Sequence, residues 1–147
     1  MNLERYSYLT TNNYHNYTFY SEGPKGRIKK TVTYLRIFDD PIAYNLAFGD
    51  EDDKTGVIND AIVTDNKDRD IILATVAATV MEFSEHFGNY YIYVTGSTLS
   101  RTRLYQMEIA KFLDEINKDF EVYGYNSGSW HTFVRNTNYE ALLVKRK

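Results

Sequence analysis

Cysteine is absent from this 147-residue chain. Its absence excludes disulfides, thiolate metal sites, thiol catalysis and thiol redox switching together, and it fits a reducing compartment. Two prolines and eight glycines are too few for collagen-like or linker-rich architecture. Neither sign of charge prevails: 17 basic residues face 20 acidic ones for a net charge of −3, which argues against coating nucleic acid by bulk charge. The longest apolar run, residues 71–82, is interrupted by Thr75 and Thr79 and is too short to span a membrane. The first eight residues hold no apolar core of the kind a signal peptide needs. A cytoplasmic location without membrane association is therefore expected. His15, His86 and His131 stand apart, with no His-Glu-x-x-His spacing, and Ser97 lacks the second glycine of a nucleophile elbow. Metal hydrolysis and triad catalysis find no support, and neither a metal nor a cofactor is expected.

What the chain does have is globular composition, 43% hydrophobic and 25% charged, with a surplus of aromatics at 16% that includes fourteen tyrosines. The length fits one domain over 1–147, able to remove roughly 68–70% of the unfolded chain's surface from water. Residues 14–20, rich in Tyr, Thr and Phe, predict a strand. Glu22-Gly23-Pro24-Lys25-Gly26 predicts a turn, and residues 27–38 a long partner strand. On that strand Lys25, Arg27, Lys29, Thr31 and Thr33 share one face, while Ile28, Val32 and Tyr34 point the other way with Lys30 as the exception. Residues 43–48 predict a third strand, and 57–63 a short piece within a loop over 49–66. A helix follows with Asn66 or Asp65 as N-cap, Asp68 and Asp70 in its first turn, and Gly88 as C-cap. Its expected buried stripe is Ile72, Val76, Val80, Phe83 and Phe87.

Residues 90–95 predict a strand interior to the sheet, because Tyr90, Ile92 and Val94 alternate with Tyr91, Tyr93 and Thr95. A second helix runs to about residue 117, with Thr102, Tyr105, Ile109, Phe112 and Ile116 on one face. Strands at 120–125, 130–134 and 139–144 complete the chain, and Lys145-Arg146-Lys147 reads as a solvated tail. The expected fold class is α+β: a mostly antiparallel sheet with two helices packed on one face, in the order β-β-β-α-β-α-β-β-β.

The best local candidate site is Gly96, Ser97, Thr98, Arg101, Arg103 and Tyr105, where a strand enters a hydroxyl-rich turn that opens a helix. Helix starts carry unpaired N–H groups and a partial positive charge, and arginine meets phosphate with two parallel bonds. A phosphate is expected within reach of the 97–98 N–H groups, closed over by Arg101 or Arg103. The competing expectation is that Ser97 or Thr98 merely caps the helix with its own oxygen, while Arg101 and Arg103 pair with carboxylates such as those of residues 39–70. The second candidate is the basic strand of Lys25, Arg27 and Lys29, suited to a phosphate backbone with tyrosines for stacking, or simply to lysine protection of an edge. The third is acidic. Ten of the twenty acidic residues lie between Asp39 and Asp70, a segment that suits a basic protein partner better than a metal ion.

Several segments carry a resemblance. Ser21 to Lys30, Tyr44-Asn45-Leu46-Ala47-Phe48-Gly49-Asp50, Asp68-Arg69-Asp70, Leu73 to Val80, Thr95 to Thr98 with Arg101 to Tyr105, and Asn138-Tyr139-Glu140-Ala141 together resemble a family of small stand-alone bacterial proteins of unknown function. The resemblance implies no activity or catalytic residue. The leading expectation is a domain binding a phosphate-bearing ligand, nucleic acid or nucleotide. The alternatives are a metal-independent ribonuclease or nucleotide-processing toxin using Lys29, Arg101, Arg103 and Tyr105, and a protein partner in a two-gene defence or toxin–antitoxin pair.

Overall fold

The computed structural model describes residues 3–51, 54–56, 58–59, 66–96 and 98–147. Their order is β1 (Leu9–Thr11), β2 (Asn16–Gly23), β3 (Gly26–Asp39), β4 (Ile42–Glu51), β5 (Ile58–Asn59), α1 (Arg69–Phe87), β6 (Tyr91–Val94), α2 (Leu99–Lys111), α3 (Leu113–Asp119), β7 (Phe120–Asn126), β8 (Ser129–Thr132) and β9 (Ala141–Arg146). The strands form one nine-stranded sheet, β1-β2-β3-β4-β6-β9-β7-β8, with β5 paired to β4. All pairs are antiparallel except β4 with β6, which the α1 crossover makes parallel. The class is the expected α+β. The element order differs: β1 and β5 extend the first group of strands to five, and the second helix is two, α2 and α3.

The core lies between the helices and one face of the sheet. Tyr17, Phe19, Val32, Tyr34, Tyr44, Leu46, Ile92, Val122 and Leu142 point into it from the strands. From α1 the buried side chains are Ala74, Thr75, Thr79, Val80, Phe83 and Ser84; Val80 and Phe83 belong to the expected stripe, whereas Ile72, Val76 and Phe87 are only partly buried against the core, so the inward face is broader than expected. Two of the buried hydroxyls are satisfied, those of Thr75 and Thr79, while the Ser84 hydroxyl has no hydrogen-bond partner among the described residues. Thr75 donates to the Ile71 carbonyl and accepts from the Tyr6 N–H, while Thr79 donates to the Val76 carbonyl and meets the Tyr34 hydroxyl at 2.8 Å. Asp68, rather than Asn66, stands at the N-cap of α1, and it makes no capping bond from its side chain; Asp65 is outside the described residues. Gly88 closes the helix as expected, at φ 118°. The C-terminal cations are part of the sheet and not a free tail: Arg146 in β9 lies 3.7 Å from Glu85, and the Lys147 N–H donates to the Asp119 carbonyl.

Candidate functional site

β6 is interior, between β4 and β9, and it delivers the chain through Thr95 and Gly96 to the start of α2. Thr98 has extended backbone there, and its Oγ1 accepts the Arg101 N–H at 3.2 Å. The Gly96 N–H donates to Thr102 Oγ1 at 3.1 Å. A Cβ on Gly96 would run into the Arg101 side chain and come 2.8 Å from the Thr102 nitrogen, so glycine is required by the closeness of strand and helix. Thr98 thus caps α2 with its own oxygen, which meets the capping part of the competing expectation; Ser97 lies outside the described residues. Thr98, Arg101 and Tyr105 line a cavity of about 520 Å³ between α1, α2 and the sheet. Arg103 is exposed and is not part of its wall.

The basic strand lies elsewhere. Lys25 sits in the β2–β3 turn, held by its N–H to Asn66 Oδ1 at 2.7 Å. The Arg27 guanidinium lies 3.9 Å from the Tyr20 ring centre, and Lys29 pairs with Glu51 at 2.7 Å. Lys30, fully buried on the opposite face, pairs with Asp50. Strand alternation turns Arg27 and Lys29 toward the side of the sheet without helices, whereas Arg101 and Tyr105 face the cavity on the helix side. The sheet therefore separates the two cationic sets, and Lys29, Arg101, Arg103 and Tyr105 do not converge on one cleft.

Most described carboxylates of the acidic segment are occupied within the chain. Asp39 pairs with Arg36, Asp50 and Glu51 with the β3 lysines, and Asp70 with Lys111. Asp68 accepts from Tyr6 and Ser21. Asp52, Asp53, Asp60 and Asp65 lie outside the described residues. No cluster of metal-ligating side chains occurs among the described residues.

The arrangement that sequence reasoning did not assemble is on the helix-free face. Register places Tyr93, Leu143 and Tyr123 side by side across β6, β9 and β7, and Tyr125 opposite Trp130 across β7 and β8. Their rings touch. Trp130 meets Tyr93 at 6.0 Å and Tyr125 at 5.2 Å, both edge-to-face, and Tyr91 meets Tyr123 at 6.3 Å. Lys145 Nζ lies 5.2 Å from the Tyr91 ring centre. Trp130 remains 39% exposed and each of these tyrosines is partly open. Burial, together with the Glu121 carboxylate that accepts its O–H at 3.1 Å, pushes the Tyr123 phenol above its usual range. The Arg27 and Lys29 side chains lie on this same face, toward β2 and β3. Alternation within residues 90–95 was readable in the sequence. The adjacency of β6, β9, β7 and β8 was not, because none of those pairings except β7–β8 is local.

These features define an α+β protein whose mixed sheet carries helices on one face and an aromatic patch on the other. The chain belongs to a family of unknown function (DUF6934), whose model matches residues 2–147. No curated protein and no solved structure matches it. None of the described helices is long and apolar enough to cross a membrane.

Proposed function

We propose that this protein binds single-stranded nucleic acid on the helix-free face of its sheet. The observation that carries this reading is the partly exposed aromatic patch of Tyr91, Tyr93, Tyr123, Tyr125 and Trp130, built from adjacent strands. Every base offers a π-face to such a patch, and stacking contributes about 1–3 kcal/mol per base. Lys145 and Arg27 supply cations on the same face, few enough to agree with the net charge of −3, whereas Lys29 there is already paired with Glu51. Binding is then dominated by stacking, with a shallow dependence on salt.

Trp130 is the only tryptophan in the chain, which makes it a specific reporter. Titration of a fluorophore-free poly-U or poly-dT oligonucleotide is expected to quench its emission. Trp130→Ala and Tyr93→Ala are each expected to weaken binding, read by anisotropy of a labelled strand, by about 1–3 kcal/mol. Unchanged emission at saturating oligonucleotide, or full affinity in both variants, removes the reading.

A further inference from the structure

The cavity between α1, α2 and the sheet is separate from that face. Its volume of about 520 Å³ falls in the range of small-molecule sites, roughly 300–1,000 Å³. The walls are apolar, with Leu46 and Phe48 from β4, Ile72 and Val76 from α1, and Leu104 and Ile109 from α2. One end differs. Asp68, Arg69 and Glu108 line this cavity and also a second, outer one shared with Lys67, Asp70 and Lys111, so they stand where the apolar interior meets a polar exterior.

Asp68 is 6% exposed. Its Oδ2 accepts the Tyr6 O–H at 2.6 Å and the Ser21 O–H, yet its enclosed Oδ1 has no hydrogen-bond partner among the described residues. The enclosed Oε2 of Glu108 is unpartnered in the same sense. Buried acceptors are nearly always matched by a donor, because leaving one unmatched is costly, and more so when it is charged. Burial raises the Glu108 carboxyl above the usual carboxylate range, with Asp70 as the next cause. Arg69 and Arg101 also line the cavity, and each is already engaged in an interaction within the chain.

We propose that this cavity binds a small amphiphile with a primary ammonium head, which donates to Asp68 Oδ1 and Glu108 Oε2 while its apolar body lies against β4, α1 and α2. An ammonium carries three donors and no acceptor, the complement of two orphaned carboxyl oxygens. A carboxylate of the same length brings no donor to those two oxygens and leaves them unmatched. The site is independent of the nucleic-acid reading, since it lies on the opposite side of the sheet.

The test is calorimetric or NMR titration of the full chain with n-hexylamine, n-hexanol and n-hexanoate. Hexylamine is expected to bind saturably, hexanol roughly tenfold or more weakly, and hexanoate not measurably. Glu108→Gln and Asp68→Asn are each expected to weaken hexylamine by roughly tenfold to a hundredfold. Asp68 also anchors Tyr6 and Ser21, so if its variant fails to fold, Glu108→Gln carries that arm alone. Ala77→Phe, which fills the cavity from α1, is expected to abolish binding in a folded protein. Equal affinity for hexanoate, full hexylamine affinity in Glu108→Gln or Ala77→Phe, or no saturable hexylamine binding up to millimolar concentration overturns the proposal.

Discussion

Lys30 is a fully buried cation among the large core residues Tyr17, Phe19 and Tyr34. It alternates along β3 with Ile28, Val32 and Tyr34, so its direction was legible as the exception on an apolar face. Its partner was not. Asp50 comes opposite only through the β3–β4 register, in which Lys30 faces Asp50 across the ladder. The Nζ also lies 6.0 Å from the centre of the Phe48 ring. Removing one member of a buried pair strands the other, at about 3–5 kcal/mol, whereas replacing both with apolar groups of similar volume is often neutral. Asp50 keeps 16% of its side chain in contact with solvent, which sets the expected cost toward the lower limit. Lys30→Met is therefore expected to destabilise the fold by about 3 kcal/mol in urea unfolding, and Lys30→Met with Asp50→Leu to recover most of that loss. A double variant no more stable than the single one contradicts this account. Gly96, Thr98 and Gly88 were legible at the same scale, because caps and close approaches leave local marks in sequence.

Among the elements, β2, β3, β4, β6, β7 and α1 were readable from period and punctuation. The failures have distinct causes. β1 is a three-residue strand of Leu9, Thr10 and Thr11, too short to show a period, and it exists by pairing with residues 16–18 of β2. The division between α2 and α3 falls at Phe112, with no glycine or proline to announce it. There the Phe112 N–H is shared between the Glu108 and Ile109 carbonyls, while Leu113 and Ile116 turn into the core. The expected α1 stripe omitted Thr75 and Thr79 because hydroxyls count as polar in a periodicity argument, yet both are buried once carbonyls and tertiary partners satisfy them. Gln106 of α2 holds the connection between β8 and β9: its Nε2 donates to the Thr137 carbonyl and its Oε1 accepts the Tyr139 N–H at 3.0 Å. That fixes Tyr139 against Gly124, where a Cβ would strike the ring. Gln106→Ala leaves both backbone groups to find new partners, so a loss of about 1–3 kcal/mol is expected. Hydrogen exchange should rise in residues 133–140 and remain unchanged in α1 and β4; uniform protection there counts against the clamp.

At the scale of the whole molecule, the sheet is a partition. Successive residues of β6 serve opposite sides: Ile92 and Val94 belong to the core and the cavity wall, Tyr91 and Tyr93 to the aromatic face. Each cluster of predicted site residues was therefore visible, but which side it served depended on strand order and register. Two ligands on opposite sides of such a partition interact only if binding one shifts the strand between them. The β4–β6 and β6–β9 ladders hold that strand on both edges, which opposes such a shift. The two proposed sites are accordingly expected to be energetically independent. Ala77→Phe should leave oligonucleotide affinity unchanged, Trp130→Ala should leave hexylamine affinity unchanged, and saturating hexylamine should alter the oligonucleotide Kd by less than about 0.5 kcal/mol, the additivity expected of distant sites. The shared element sets where a failure would arise. A larger coupling would place a two-state movement in β6, and by reciprocity the oligonucleotide would then shift hexylamine affinity by the same factor. Measuring both directions separates that outcome from a nonspecific effect of the amine on the nucleic acid, which would persist in the Ala77→Phe variant.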